Sequence, residues 1–410
     1  MKTVETIKKH VTYTDKITAL FTLTYFASYL TRVNFAAIIS GIEDATGYSK
    51  ASLSLCVTGL FICYGLGQLV SGYLGDRLLP KPLVFLGLLI SSLCNLLMTL
   101  CRSPLWMAVL WSLNGFAQAF MWPPIVLLLT VILDERDYRK AVMSVNSGGS
   151  IGSVVIYLVA PLLMVFFSWR SVFVFSGICG LVMSALWLRY CPSVSATVSN
   201  PQKRPLRDES GKILFPTEMF FILLAVVLQG ALRDGVSTWM PSNIEETFHL
   251  NGKLSILSGA ILPLFSTVSY RITLYIHKKW FTNPVRCAGL LFLLGSFTAA
   301  FLTVFSDWSA VLSVLLFTLL SGMMHGINLM LVSLLPSYFG KMGVVSTVSG
   351  LVNSCTYLGS ALVTYGIGAS VDLIGWEWVT GIWCAAAFVG AIVCALSSRT
   401  KWSREWFGEK

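Results

Sequence analysis

The sequence predicts an all-α membrane protein, with twelve transmembrane helices in two pseudo-symmetric six-helix bundles. Three observations carry that reading. Of 410 residues, 55% are hydrophobic and only 12% are charged, against about 25% charged in an ordinary soluble chain. The apolar residues gather into twelve runs, each near the roughly 20 residues that a spanning helix needs. A single long polar stretch divides the runs six and six. This composition excludes a disordered chain, a disulfide-stapled secreted module and a nucleic-acid binder with a charged surface.

The first six runs lie near 17–40, 51–72, 82–101, 104–133, 141–166 and 169–190. The second six lie near 217–241, 254–276, 285–305, 308–334, 343–370 and 376–397. A strand with an exposed edge cannot cross lipid, so each run reads as a helix. The gap from Cys191 to Leu214 holds Lys203, Arg204, Arg207, Asp208, Glu209 and Lys212 with three prolines. It reads as a linker over 191–215, joining a bundle over 1–190 to a second over 216–410.

Charge distribution orients the chain. With the N-terminus inside, the cytoplasmic segments hold 22 Lys and Arg, and the external loops hold only Lys50, Arg102, Arg170 and Lys253. By the positive-inside rule both termini and the linker are expected in the cytoplasm, in a multi-pass protein of the cytoplasmic (inner) membrane. The same rule accounts for the net charge of +10 without a polyanionic partner. The ten cysteines lie within or beside apolar runs and none is in CxxC spacing. They read as small buried hydrophobes, with no metal and no cofactor implied. The first run starts after Lys16 and exceeds a cleavable signal's length, so the N-terminus is expected to be retained.

The halves echo each other. Trp169 and Trp376 open the sixth and twelfth spans, and Arg32 and Arg233 sit in the first and seventh. Each arginine lies about 15 residues into its span, or roughly 22 Å at 1.5 Å per residue. An arginine at such depth costs roughly 2.5–3.5 kcal/mol on insertion scales. A buried ion pair holding helices together is one reading. The other is a pair of guanidinium forks facing a central cavity, where they would bind phosphate or carboxylate bidentately. Repeated halves with matched intramembrane charges point to a transporter with its site between the halves.

Other polar side chains fall where they could line the same cavity. Tyr25 and Tyr29 share a helical face with Arg32. Tyr64 and Gln68 are an i, i+4 pair in the second span. Trp122 opens a Pro123-Pro124 break in the fourth, and Asn146, His325, Asn328, Asn353 and Tyr357 complete the set. Singly, each is as readily helix-packing glue as ligand. Asp234 follows Arg233, and helix neighbours point about 100° apart, so the two are not expected simply to pair. Asp234 is expected either to balance Arg271 or a neighbouring helix, or to act as a protonatable coupling group. Asp76 and Arg77, in the turn after the second span, read as gating and structural residues that cap helix ends and pair with the other half.

Several short motifs fail on context. HVTYTD, His10 to Asp15, stands alone in a short tail. Gly65, Gly67 and Gly72 fall inside a helix and read as close-packing glycines. There is no HExxH or P-loop, and the G-x-S-x-G string from Gly148 to Gly152 lies inside an apolar run and makes no nucleophile elbow, so neither an enzyme nor an ATP-driven pump is expected.

Read together, YLTRVNF, the Tyr64-Gly65 turn, GYLGDR, GFAQAFMWPP, SVNSGGSIG, LRDGVSTWMP and TYLGS resemble the major facilitator superfamily over essentially the whole chain. Within it they look like the organophosphate:phosphate antiporter family, the glycerol-3-phosphate and hexose-phosphate transporters. The resemblance implies secondary active transport of a small organic anion by a cofactor-free, monomeric carrier in the bilayer. It implies that Arg32 and Arg233 grip the substrate phosphate, and that Tyr29, Tyr64, Trp122 and Tyr357 occupy pocket positions.

This chain also departs from the family pattern. Val33 stands where a lysine is usual, Gln68 where another lysine stands, Gly149 replaces a histidine, and His325 replaces a tyrosine. The site has lost cations and gained Asp234. A larger or singly charged anion, coupled to a proton or sodium ion, therefore stands beside strict exchange for inorganic phosphate. YLTRVNF and GQLVSGYLGDR also resemble the anion:cation symporters that carry hexuronates. A non-transporting sugar-phosphate sensor of the same fold remains a third reading.

Overall fold

A computed structural model describes residues 2–48, 50–194, 217–249, 261–305 and 307–400. The core of the predicted linker and the first part of the eighth predicted span, 254–260, lie outside the described residues.

The described secondary structure is helical throughout. In the first half the helices are α1 (Lys2–Ala37), α2 (Ile39–Thr46), α3 (Lys50–Gly75), α4 (Pro80–Met98), α5 (Pro104–Gln118), α6 (Trp122–Ile132), α7 (Glu135–Phe166) and α8 (Trp169–Tyr190). In the second they are α9 (Thr217–Phe248), α10 (Ile261–Trp280), α11 (Pro284–Phe305), α12 (Ala310–Asn328) and α13 (Val345–Ser398). A π-helical segment, Leu329–Leu334, and a 3₁₀ segment, Leu335–Met342, link α12 to α13. Among the described residues nine helices are long and apolar enough to cross a membrane. The helices α1, α10 and the first part of α13 occupy the other three predicted spans.

Local sequence explains the boundaries. Ser103 and Asp134 cap α5 and α7, their side chains accepting from the backbone N–H of Trp106 and Asp137, and Pro80 and Pro104 open their helices where no donor is needed. Pro123 and Pro124 lack the N–H groups that would continue α5, so the fourth span breaks into α5 and α6 with Trp122 at the restart. The last two predicted spans run on as one helix, interrupted at Gly375, whose φ of 76° suits glycine. The tail before Lys16, expected to precede the first span, is helical from Lys2 onward as part of α1.

The chain divides into two compact units: Met1–Pro201 with Phe339–Leu351, and Gln202–Tyr338 with Val352–Lys410. Within each unit the arginine-bearing helix packs through glycines onto the fifth span of its half. In the first unit, a methyl group on Gly148 would come within 2.6 Å of the Thr22 carbonyl, and one on Gly152 within 2.7 Å of the Phe26 carbonyl. This seats α7 directly on α1. In the second unit Gly359 sits against the Val227 carbonyl and Gly230 against the Thr356 carbonyl, seating α13 on α9. Small residues of this kind let backbones approach closely where lipid offers no hydrophobic driving force.

Candidate functional site

In the first unit, Arg32 is nearly buried, at 9% exposure. Its guanidinium carbon lies 4.0 Å from the Tyr29 ring centroid and 5.1 Å from that of Tyr64. Both distances are within cation–π range. Tyr29 packs edge-on against Tyr25 at 5.2 Å, and Tyr25 lies 4.9 Å from Trp122. The structure therefore brings Tyr25, Tyr29, Arg32, Tyr64 and Trp122 into one aromatic cluster drawn from α1, α3 and α6.

Gly149 leaves the room for this cluster. A Cβ there would sit 2.7 Å from Tyr29 Cε2 and 3.1 Å from Tyr25 Cδ1. Two tyrosine rings thus fill the volume that a side chain at position 149 would occupy.

Gln68 lies one turn beyond Tyr64 on α3. It is fully buried, and among the described residues neither its amide oxygen nor its nitrogen finds a hydrogen-bond partner. Buried amides left unpaired are rare and call for an explanation. Asn146, on α7, donates from Nδ2 to the Val142 carbonyl at 2.9 Å.

Behind Arg32 lies a buried amide and hydroxyl network that the sequence reading missed. Gln118 Nε2 donates to the Ser28 carbonyl, Thr31 Oγ1 and Ser91 Oγ at 3.0, 2.8 and 2.7 Å. Asn114 and Asn95 donate to the Thr31 carbonyl at 3.0 and 2.9 Å, and Asn34 donates to Asn95 Oδ1 at 2.7 Å. It clamps α1 to α4 and α5 on either side of Arg32. The i, i+4 pairs Ser91/Asn95 and Asn114/Gln118, in otherwise apolar spans, were the signal available.

In the second unit, Arg233 and Asp234 form a bidentate ion pair, Nε to Oδ1 at 2.7 Å and Nη2 to Oδ2 at 2.9 Å. This corrects the expectation that helix neighbours would diverge and that Asp234 would balance Arg271. The long arginine side chain folds back across the angle, and among the described residues Arg271 makes no ion pair with Asp234. The Ser360 hydroxyl also donates to Asp234 Oδ2 at 2.5 Å.

Tyr357 lies 6.0 Å from the Arg233 guanidinium carbon. His325 is within electrostatic reach of both Arg233 and Asp234. Its Nδ1 lies 2.9 Å from the Ser321 carbonyl and its ring 6.0 Å from that of Tyr270. The helix turns π-helical at Leu329, four residues past His325 and directly after the nearly buried Asn328; such segments recur at functional sites. Asn353 is nearly buried as well.

The turn after α3 belongs to the first unit. Asp76 Oδ1 accepts from the Ser346 N–H at 2.8 Å, and Oδ2 from the Thr347 N–H at 2.7 Å. The carboxylate therefore caps the positive N-terminus of α13. Arg77 does not share this role: it is exposed, donates to the Tyr73 carbonyl at 3.2 Å and covers the Tyr73 ring of its own helix.

Comparison with known proteins sets these residues in a family. The model of the Major Facilitator Superfamily matches residues 21–364. The glycerol-3-phosphate transporter of Bacillus subtilis is 24% identical over 381 residues, covering 86% of this chain and 85% of the relative. A probable hexose phosphate transport protein of Chlamydia pneumoniae is 22% identical, covering 90% and 86%. The membrane sensor protein UhpC of Salmonella typhimurium is also 22% identical, covering 91% and 88%. Among solved structures, the human organic anion transporter MFSD10 superposes with a TM-score of 0.75 at 14% identity, over 93% of this chain and 99% of that one; at that identity the likeness is one of fold. The first two relatives bear the names of the glycerol-3-phosphate and hexose phosphate transporters that the sequence motifs resemble, and the chain belongs to the major facilitator superfamily.

Proposed function

We propose that this chain is a secondary active transporter that carries a small organic anion, phosphorylated or carboxylated, by alternating access. The observation that supports it most is the presence in each unit of one intramembrane arginine with an aromatic neighbour, Arg32 by Tyr29 and Tyr64, Arg233 by Tyr357. In this reading both guanidinium groups grip the anion, and Tyr25, Trp122, Asn146, Gln68 and His325 shape its recognition. The orphaned amide of Gln68 gains its hydrogen bonds from the substrate. Relatives named as glycerol-3-phosphate and hexose phosphate carriers favour a phosphate ester. The fork of Arg233, already closed on a carboxylate, favours a carboxylated substrate such as a hexuronate.

Asp234 is the coupling group in this reading. While ionised it holds Arg233, and neutralising it with a proton or a sodium ion releases the fork to the incoming anion. Arg233 and Ser360 bind it, His325 lies within electrostatic reach, and Tyr357 neighbours the Arg233 guanidinium; together they set that balance. Asp76 acts at the gate, and the termini and the 191–215 linker face the cytoplasm of a bacterial-type inner membrane.

The test is a thermal-shift screen of the purified protein against glycerol-3-phosphate, glucose-6-phosphate, glucuronate and inorganic phosphate, followed by uptake into proteoliposomes. One anion class raising the Tm and accumulating inside supports the proposal. A shift by uncharged sugars alone, or by none of these anions, overturns it. The 22% likeness to a membrane sensor protein favours a second reading, in which the anion binds but is not moved. Binding without uptake under any gradient selects that reading.

A further inference from the structure

The outer face of the second unit carries a groove that the transport reading does not use. Helix α11 and the part of α13 after Gly375 run antiparallel. Gly289 faces Cys394, with room for a Cβ only 3.1 Å from that of Cys394; Phe292 faces Gly390; and Ser296 Oγ donates to the Cys384 carbonyl at 3.1 Å. This register brings Arg286, in the first turn of α11, level with Arg399, just past the end of α13. Between the helices lies a groove of about 490 Å³, lined by Phe281, Arg286, Leu293, Phe388, Ile392 and Arg399 among others.

Three features specify an occupant. The groove is apolar along its length and basic at one end, and no acidic residue lines it among the described residues. From Phe388 to Arg399 it runs about 16 Å at 1.5 Å per residue, close to one leaflet of a hydrocarbon core about 30 Å thick. Leu293, Phe388 and Ile392 are 37%, 51% and 44% exposed, which in a membrane-spanning chain means exposure to acyl chains.

We propose that this groove binds an anionic phospholipid, with its phosphate at Arg286 and Arg399 and one acyl chain lying between α11 and α13. Guanidinium groups bind phosphate oxygens bidentately, and basic pockets between spanning helices select acidic headgroups. A zwitterionic lipid would bring a cationic headgroup beside two arginines and bind less well.

Native mass spectrometry of the full chain in detergent tests this, with dioleoylphosphatidylglycerol, dioleoylphosphatidylcholine and inorganic phosphate as probes. The expected result is retention of phosphatidylglycerol at concentrations where phosphatidylcholine is lost, with no displacement by millimolar phosphate. Replacing both arginines, Arg286→Gln with Arg399→Gln, should weaken phosphatidylglycerol binding by about tenfold or more, on the scale of one interfacial charge each. Ala395→Trp, at an exposed position in the groove, should weaken it without altering charge, and decides the matter if the double variant proves unstable. Equal retention of the two lipids by the wild type overturns the proposal. So does wild-type-like phosphatidylglycerol binding in either variant, or displacement by phosphate.

Discussion

Asp234 occupies the guanidinium fork of Arg233 from the adjacent position in the chain, with both of its oxygens engaged at 2.7 and 2.9 Å. An anionic substrate using this fork must compete with that carboxylate. Asp234→Asn keeps the shape but removes the charge, so the fork should be freed. Anion binding should tighten roughly tenfold or more, since a hydrogen bond to a charged group is worth about 1.5–3 kcal/mol. Concentrative uptake should be lost while substrate counterflow persists, because exchange need not cycle the empty carrier. Isothermal titration and paired uptake and counterflow assays check this. If wild-type transport ignores pH and sodium gradients yet runs on trans-side phosphate, Asp234 is a structural counter-charge only.

Both arginines should be required as arginines. The Arg32 guanidinium carbon lies 4.0 Å from the Tyr29 ring centroid, and Arg233 presents a fork already seen to hold two oxygens. Lysine preserves the charge but neither the plane nor the bidentate geometry. Arg32→Lys and Arg233→Lys should each weaken anion binding by more than tenfold, about 1.4 kcal/mol or more. Wild-type affinity in either variant would refute the two-arginine clamp.

The helices were legible because lipid leaves the backbone few choices. Among the described residues each run of apolar residues is helical, and the Pro123-Pro124 break fell where two missing N–H groups demanded it. Single-helix periodicity also placed Tyr25, Tyr29 and Arg32 on one face. Other features depend on side-chain reach or on partners far along the chain. The Arg233–Asp234 pair was missed because the angle between neighbouring Cβ atoms says nothing about a long arginine folding back. The Asp76 cap on Ser346 and Thr347 joins residues 270 and 271 positions apart, and only the fold shows which helix end is capped. The network around Gln118 was overlooked because its signal, the pairs Ser91/Asn95 and Asn114/Gln118, lies in separate spans whose packing together only the fold shows.

Gly149 should prove a specificity position. A methyl group there would meet Tyr29 Cε2 at 2.7 Å, so the ring under Arg32 must move. Overpacking of this kind typically costs about 1–3 kcal/mol. Gly149→Ala should lower the Tm modestly and weaken anion binding more than Gly152→Ala, whose Cβ meets the Phe26 carbonyl and only the Cβ of Tyr29, not its ring. Equal effects of the two substitutions on binding would remove Gly149 from the recognition surface.

Asp76 should make this protein's stability depend on pH in an unusual direction. Burial pushes its carboxyl up to about 6, against the opposing pull of the Thr347 and Ser346 N–H donors. The folded state therefore binds this proton more tightly than the unfolded chain, where the ordinary value is 3.8. Its contribution to stability is fullest below about pH 4 and declines as the pH rises towards about 6, after which it is constant. The Tm difference between wild type and Asp76→Asn should thus move in favour of the wild type as the pH falls through that window. A difference that stays flat there would contradict the burial argument. The same contact should govern the gate. Ser346 and Ser349 hold buried polar atoms without hydrogen-bond partners among the described residues, and parting of the contact would open them to water. Asparagine offers one acceptor to two N–H donors, so Asp76→Asn should favour the parted form, inward-open in the proposed topology. A cysteine introduced as Ser349→Cys, at a position now fully buried, should then react with a polar thiol reagent several-fold faster in the Asp76→Asn background. Unchanged labelling would show that Asp76 caps α13 without holding the gate.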